Sequence, residues 1–293
     1  MLLVSTAPAS PWTDLDQRWR ALLESCRPLV IATVQTRDLA DSWLFHWRDR
    51  LIRELAPPEV MLLQLEFEAA LTAQQAAASE QPAGRLTVHG VMLRQLQRLL
   101  PVDALCLLID VDAYPLSRAA IQLSFVLADR DGLCGNAQRT NCISNGEHLF
   151  IGPSYCCFSQ RLLEPIDDGA WRINDRSDVG EEIVWRLAVP LGDNLFRPLH
   201  TRFAPIWPLE GATPVYGVGT TFGCQGVPVS YHHFFARNLT SRLHFCLISW
   251  IAYLRARGKR QQRKPRFSGW RPRLRQVKAE LVFGLRYLRG NPF

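Results

Sequence analysis

Two carboxylates stand at the end of a strongly apolar run near the middle of the sequence. Residues 104–109 are all apolar, and Asp110 and Asp112 follow them with one residue between the two acids. Ligands of open α/β sheets bind beyond the carboxyl ends of strands. Hard cations such as Mg²⁺ prefer oxygen ligands and share them with substrate phosphates. The two aspartates therefore predict a divalent metal site. The alternative is a solvated turn in which one of them caps the next helix.

The segments before this pair alternate between helix and strand. Apolar residues at helical spacing predict helices, and short apolar runs between them predict buried strands. The predicted helices cover 12–26, 40–55 and 91–100, and the predicted strands cover 29–34, 60–67 and 104–109. The stretch 69–84 is rich in Ala and Gln and fits either a helix or a loop. This order predicts an α/β fold, Rossmann-like, with a mostly parallel central sheet flanked by helices.

The chain beyond residue 116 has a different texture. Ser117 is placed to cap a helix over 117–127, and helices are also predicted over 178–188 and 238–257. Two short strands are predicted near 149–151 and 155–158. Gly, Asn, Pro and aromatic residues predict loops over 130–145 and 190–229.

The formal net charge of +7 is unevenly distributed along the chain. Residues 251–293 contain thirteen Lys or Arg and one acid, so the other 250 residues carry a net charge of −5. We therefore divide the chain into a globular domain at 1–250 and a basic, amphipathic helical tail at 251–293. This distribution argues against a DNA-binding domain that is basic throughout, and we do not expect nucleic acid as a partner.

The sequence also favours one compartment. We find neither a signal-peptide pattern nor an apolar stretch of transmembrane length. The eight cysteines have none of the paired spacings of a zinc site, and most stand among apolar neighbours. We expect reduced cysteines and a cytoplasmic protein.

Several segments together resemble the GT-A class of nucleotide-sugar glycosyltransferases, whose hallmark is an Asp-x-Asp at the end of a central strand. The segments that carry the resemblance are Val30-Ile-Ala-Thr33, Leu107-Leu-Ile-Asp-Val-Asp-Ala-Tyr-Pro-Leu116, Asn136-Ala-Gln-Arg-Thr-Asn141, Phe150-Ile-Gly-Pro-Ser-Tyr-Cys-Cys-Phe-Ser159, Tyr216-Gly-Val-Gly-Thr-Thr221 and Tyr231-His-His-Phe-Phe-Ala-Arg237. The resemblance implies a GT-A-like catalytic domain at 1–250. It also implies a nucleotide-sugar donor and a divalent metal, Mn²⁺ or Mg²⁺, that neutralises the leaving diphosphate.

The resemblance assigns roles to particular residues. Asp110 would contact the ribose or the metal, Asp112 would bind the metal, and His232 would complete the metal site, with His233 as the alternative. Arg237 would contact the diphosphate. The nucleotide would lie past the first strand, where a helix N-terminus follows. The residues expected to bind it there are Thr33, Gln35, Thr36 and Asp38.

An inverting transferase of this kind needs a carboxylate that deprotonates the acceptor hydroxyl. Asp178 and Glu181, with Glu182 beside them, are the candidate catalytic residues. The alternative is structural, because an Asp followed three places later by a Glu is also the pattern of a capping box. A retaining enzyme would need no such base, and Gln138 or Asn141 would then lie near the sugar.

The tail bears on the partners. Basic amphipathic stretches with aromatic residues favour anionic membrane surfaces, although a helix packed on the body or a nucleic-acid contact would use the same residues. The expected enzyme transfers a sugar to a glycan or lipid-linked acceptor in cell-surface polysaccharide synthesis, peripherally at the inner membrane face. The rivals are a haloacid-dehalogenase-like phosphatase and a non-enzymatic adaptor that binds membrane or nucleic acid through 251–293.

Overall fold

The computed structural model describes residues 10–40, 43–80, 84–129, 132–139, 149–191, 196–203, 206–207, 215–216, 220–225, 227–233 and 239–259. The helices are α1 Leu15–Glu24, α2 Arg37–Ala40, α3 His46–Leu55, α4 Ala69–Ala77, α5 Val88–Leu99, α6 Arg118–Ala128, α7 Gln160–Leu163, α8 Glu181–Leu191 and α9 Leu239–Lys259. Two 3₁₀ helices lie at Trp43–Phe45 and Glu164–Trp171.

The strands are β1 Leu29–Thr36, β2 Met61–Phe67, β3 Arg85–Leu86, β4 Leu105–Ile109, β5 Ala113–Pro115, β6 Leu133–Arg139, β7 Leu149–Ser159, β8 Arg172–Ile173, β9 Phe196–Phe203, β10 Ile206–Trp207, β11 Val215–Tyr216, β12 Thr220–Cys224 and β13 Val227–His232. Nine of them form one sheet in the order β2-β1-β4-β7-β6-β9-β12-β13-β5. The pairs β3 with β8 and β10 with β11 form two small separate sheets.

The large sheet is mixed, which corrects the expectation of a mostly parallel one. β1 runs parallel to both β2 and β4, and β6 runs parallel to β9. The other neighbours in the sheet are antiparallel. The α/β class and the alternation of helix and strand are confirmed in the first half of the chain. Each parallel pair has a helix between its two strands in the chain, as a crossover connection requires.

Each face of the sheet is covered by helices because the strands bury both of their faces. On β1, Val30, Ala32 and Val34 join a core that includes residues of α5. Leu29 and Ile31 join a second core on the opposite face, which includes residues of α1 and α6. Ser117 caps α6 as predicted, since its hydroxyl accepts a hydrogen bond from the backbone N–H of Ala120 at 3.0 Å.

A third, smaller core joins α9 to the region of β5. Phe245 is fully buried there, with ring centroids 5.9 Å from Tyr114 and 6.0 Å from Phe45. The predicted domain boundary at residues 250 and 251 falls inside α9, which runs on to Lys259. The remainder of the tail, 260–293, lies outside the described residues. Across the described ranges, no helix has the length and apolar character needed to cross a membrane.

Three predicted segments differ from the structure. The predicted loop at 130–145 contains strand β6, and the two short strands predicted at 149–158 are one continuous strand, β7. The segment predicted as loops at 190–229 contains five strands, β9 to β13. The stretch 69–84, left open between helix and loop, begins with α4. The seven cysteines in the described ranges are free thiols, in line with the reduced state predicted for them.

Candidate functional site

The candidate site lies where the strand order of the large sheet reverses. The chain passes from β1 to β2 on one side, and β4 then returns to the other side of β1. In parallel α/β sheets the crevice at such a switch point, outside the carboxyl ends of the strands, is where ligands bind. The register pairs Ala32 with Leu108, so residues 33–36 of β1, which pair on with β2, and residues 110–112, which follow β4, lie at the same end of the sheet. The predicted nucleotide and metal residues therefore share one end of the sheet.

Asp112 and His232 come together at this edge. In the β5–β13 pairing His232 lies opposite Ala113, the residue after Asp112. The backbone N–H of His233 donates a hydrogen bond to the carbonyl oxygen of Asp112 at 2.8 Å. The result is a distance of 3.3 Å between Nε2 of His232 and Oδ1 of Asp112. Both side chains keep a little exposure, 12% and 13%, so a ligand can reach them.

The arrangement of these two atoms fits two ligands of a divalent cation. Oδ1 of Asp112 is buried and accepts no hydrogen bond within the described structure, although the ring nitrogen of His232 is close by. A carboxylate oxygen and an imidazole nitrogen are both common metal ligands. The described residues contain no group of three or more Asp, Glu, His or Cys that could hold a metal by themselves. A cation here would need further oxygens, such as those of a substrate diphosphate.

Asp110 is held in the turn between β4 and β5. Its Oδ1 accepts a hydrogen bond from the N–H of Val111 at 2.7 Å, and its own N–H donates to the carbonyl of Ser154 at 3.0 Å. Asp110 thus lies in a turn, as the alternative allowed, but it does not cap the next helix, whose cap is Ser117. The structure thus pairs Asp112 with His232 and gives Asp110 a part in shaping the loop between them.

A buried arginine, Arg48, holds the loop between β4 and β5 in place, and no sequence pattern predicted this role. Arg48 of α3 has no exposed surface. Its guanidinium donates to the carbonyl oxygens of Ile109 at 3.0 Å, Asp110 at 2.7 Å and Ala113 at 3.3 Å, and it pairs with Asp49 at 2.6 Å. A guanidinium presents several donors in one rigid plane. Arg48 is therefore a positioning residue that holds the backbone on both sides of Asp112.

The histidine doublet divides between the site and the core. His233 is fully buried, and its Nδ1 lies 2.9 Å from the hydroxyl of Tyr231. Its ring packs 5.5 Å from that of Phe245 in α9. Successive side chains of a strand point to opposite faces, so the burial of His233 turns His232 towards Asp112. Of the two, His232 has the geometry expected of a ligand.

The predicted nucleotide residues lie where β1 ends. Thr33, Gln35 and Thr36 are buried, whereas Asp38 is exposed in the short helix α2. Gln35 is the most informative of them, because neither its amide nitrogen nor its amide oxygen has a hydrogen-bond partner in the described structure. Buried amides are normally paired. Gln35 is 1% exposed, so a nucleotide base would contact this donor and acceptor only where the end of β1 opens.

A polar network connects β6, β7 and β13 beneath the site. Asn136 donates to the hydroxyl of Ser154 at 3.1 Å and accepts from the hydroxyl of Ser230 at 2.6 Å, and all three side chains are buried. Ser154 is also the residue whose carbonyl binds Asp110. Asn136 and Ser154 stand in segments that carry the resemblance, whereas Ser230 was not singled out. Together they tie the loop between β4 and β5 to the strand that carries His232.

The candidate base residues form a helix cap. The N–H of Asp178 donates to Oε2 of Glu181 at 2.8 Å, and Glu181 is fully buried at the start of α8. This is one half of the capping box that the spacing also allowed; Oδ1 of Asp178 accepts from the N–H of Val179, and the N–H of Glu181 donates to the Asp178 carbonyl. The pair lies beside Gly180, which packs on Ile151 and Pro153 of β7. Since residues 151–153 extend past the β4 partner residues of β7, the start of α8 lies at the same end of the sheet as Asp110.

The neighbouring Glu182 is structural. Burial raises its pKa, but hydrogen bonds from Asn174, Ser177, Arg176 and Arg186 outweigh burial and lower the pKa to about 2. The carboxylate is therefore charged and fully engaged at neutral pH. Among the other predicted residues, Arg237 and Asn141 lie outside the described residues, and Gln138 packs against Gly152.

Comparison with protein-family models and with curated proteins finds no match to this chain.

Proposed function

We propose that the chain is a metal-dependent glycosyltransferase that moves a sugar from a nucleotide-sugar donor to a glycan or lipid-linked acceptor. The observation that carries the proposal is the pairing of Asp112 with His232 at the switch point. It supplies two ligands from distant parts of the chain, and Oδ1 of Asp112 accepts no hydrogen bond in the described structure. A GT-A-like site of the Asp-x-Asp type needs this combination.

Each residue of the site has its own part in the proposed reaction. Asp112 and His232 would hold Mn²⁺ or Mg²⁺, which when bound supplies positive charge to the leaving diphosphate. Gln35 and Thr33, at the end of β1, would bind the base and ribose. Arg48 keeps Asp112 in place, because it fixes the carbonyls before and after it.

The acceptor hydroxyl must lose a proton, and Asp178 remains the proposed base for an inverting reaction. It is partly exposed, whereas Glu181 is fully buried and binds the N–H of Asp178. A base must reach the hydroxyl that it deprotonates. We therefore give Glu181 the supporting part of orienting Asp178 at the start of α8.

Donor binding tests this proposal directly. The full chain is heated with Mn²⁺ and each member of a panel of nucleotide sugars, since a ligand at about 100 times its Kd stabilises the fold by about 2.7 kcal/mol. We expect at least one donor to raise the melting temperature only when Mn²⁺ is present. Asp112→Asn should abolish that rise. Asp129→Asn is the matched control, because Asp129 pairs with Arg27 at the end of α6 and not at this site.

Two outcomes would overturn the proposal. One is that no nucleotide sugar shifts the melting temperature of the unsubstituted chain. The other is that Asp112→Asn responds to donor and Mn²⁺ as strongly as the unsubstituted chain does. Release of phosphate from a phosphomonoester that depends on Asp110 would instead support the phosphatase alternative.

A further inference from the structure

Helix α9 carries an exposed apolar stripe on its outer face. Leu243, Leu247, Trp250 and Leu254 are 40–48% exposed. Their spacing of four, three and four residues places them on one side of the helix. The inner face of α9 is buried through Phe245, which packs into the third core. The helix is thus apolar on two sides, and the core covers one of them.

Aromatic rings and arginines extend this stripe towards α3. The ring of Trp47 lies 6.4 Å from Trp250 and 5.4 Å from Tyr253, centroid to centroid. Arg50 lies over the Trp47 ring at 5.5 Å, and Arg257 lies over the Tyr253 ring at 5.8 Å. Indole and phenol rings beside cationic side chains are typical of surfaces that meet the headgroup region of a bilayer.

Trp43 adds an exposed anchor next to the same surface. It is 65% exposed at the start of the 3₁₀ helix Trp43–Phe45, which packs against α9. Large apolar side chains that are exposed together on one surface mark an interaction site, whereas scattered ones do not. We call the surface formed by Trp43, Leu243, Leu247, Trp250 and Leu254 the α9 surface.

The positive charge of α9 and of the sequence that follows it favours an anionic partner. Residues 239–259 include four Lys or Arg and no acid, and the basic run continues to residue 293. We propose that the α9 surface docks on an anionic phospholipid bilayer, with the leucines and tryptophans at the level of the headgroups and the bases on the lipid phosphates.

Other occupants fit this surface less well. A second copy would bring two cationic helices together, and like charges oppose such a contact. Nucleic acid would bind the Lys and Arg side chains but would leave the leucines exposed to water. The rings around Trp47 are tilted by 40–50° to one another, so they do not form the flat platform on which a sugar ring stacks.

The two sides of α9 connect this surface to the candidate site. Phe245, on the inner side, lies 5.5 Å from the ring of His233, whose neighbour His232 pairs with Asp112. A single helix therefore stands between the proposed bilayer and the metal ligands. If the proposed function holds, the acceptor is a lipid-linked molecule whose hydroxyl lies near the headgroups; the docking itself does not depend on that function.

Vesicle binding tests the proposal without any donor or turnover. The full chain is sedimented with vesicles of phosphatidylcholine alone and with vesicles containing about 30% phosphatidylglycerol. We expect binding to the anionic vesicles and a loss of at least tenfold in the triple variant Leu243→Ser, Leu247→Ser, Leu254→Ser. The matched control is Leu71→Ser with Leu99→Ser, which replaces two leucines of similar exposure on α4 and α5. Sedimentation velocity and melting temperature are measured for every variant.

Every outcome of the vesicle experiment supports or overturns docking on an anionic bilayer. Docking is overturned if the unsubstituted chain ignores anionic vesicles, or if the folded triple variant binds them as well as the unsubstituted chain does. It is equally overturned if the control loses as much binding as the triple variant, or if the triple variant only converts a dimer into a monomer. Donor binding that persists when vesicle binding fails would leave the proposed function intact.

Discussion

Nε2 of His232 lies 3.3 Å from Oδ1 of Asp112, and the register between β5 and β13 sets this distance. Backbone hydrogen bonds between the two strands fix the Cα positions of both residues, whatever rotamers their side chains adopt. The pair is therefore a property of the sheet, and substitutions in either side chain should change the site without changing the fold.

The first prediction separates the two histidines. His232→Ala should abolish the Mn²⁺-dependent response to donor and change the free energy of unfolding by less than about 1 kcal/mol. His233→Ala should lower that free energy by about 2–4 kcal/mol, because it leaves a buried space and removes the partner of the Tyr231 hydroxyl. Urea unfolding and thermal shift with Mn²⁺ and donor measure the two effects. Loss of the Mn²⁺ response in folded His233→Ala, with His232→Ala unaffected, would reverse the assignment.

The second prediction concerns Arg48. Arg48→Met should lower the free energy of unfolding by at least about 3 kcal/mol, because the carbonyl oxygens of Ile109, Asp110 and Ala113 lose the buried guanidinium as a donor and Asp49 loses its ion pair. Arg50→Met removes an exposed arginine two positions away and should cost less than about 1 kcal/mol.

A conservative change shows whether Arg48 also positions the site. Arg48→Lys keeps the charge but lacks the rigid fork, so it should remain folded at low temperature and weaken donor binding. Donor binding at full strength in folded Arg48→Lys would show that Arg48 stabilises the fold without positioning Asp112.

The third prediction compares two buried glutamines. Gln35→Met should raise the free energy of unfolding by about 1–2 kcal/mol, because it removes an amide that is buried without a partner. The same change should weaken donor binding by up to about tenfold for each hydrogen bond lost, since a neutral hydrogen bond contributes about 0.5–1.5 kcal/mol.

Gln97 is the control for this change. Its amide accepts from Trp171 at 2.6 Å and donates to the Leu163 carbonyl at 3.3 Å. Gln97→Met should therefore lower the free energy of unfolding and leave donor binding unchanged. A Gln35→Met variant that is less stable than the unsubstituted chain would mean that the Gln35 amide has a partner within the protein.

The fourth prediction concerns acid stability. The pKa of Glu182 is lower in the folded chain, about 2, than its ordinary value of 4.5. A lowered folded pKa stabilises the protein above the unfolded pKa, and the stabilisation disappears as the pH falls towards the folded pKa. Between pH 6 and pH 3 the unsubstituted chain should lose about 2 kcal/mol that Glu182→Gln does not lose.

Urea unfolding at both pH values measures this difference. Glu164→Gln, which replaces an exposed glutamate, should keep the pH dependence of the unsubstituted chain. A pH dependence in Glu182→Gln equal to that of the unsubstituted chain would contradict the assignment of acid sensitivity to the Glu182 network.

The first half of the fold follows from local pattern. Strands β1, β2 and β4 are short apolar runs, and the helices between them show one apolar face, so their order and type were predictable. Strand β6 was not, because Gly135 and Asn136 disfavour strands locally. Gly135 is needed where β7 passes close at Tyr155, and the Asn136 amide is satisfied by Ser154 and Ser230. Both reasons depend on tertiary neighbours that a local pattern does not contain.

The candidate site divides in the same way. The closeness of Asp112 and His232 agrees with the resemblance, which associates an Asp-x-Asp with a later histidine. Arg48 was not predictable, because it stands between Asp49 and Arg50 in a segment that looks like the solvated face of an amphipathic helix. Only the path of the β4–β5 loop over α3 shows that its guanidinium is enclosed.

Strand β5 follows β4 in the chain but pairs with β13, which within the described ranges is the strand furthest along the sequence. Contacts between distant parts of a chain form slowly, because a long loop must close before they gain anything. The parallel strands within residues 29–109 can form early. Asp112 can pair with His232 only after a much later part of the chain has been synthesised. Under the proposed function, the pair of Asp112 and His232 would form late in folding, and a chain interrupted before residue 232 would lack one of the two proposed ligands.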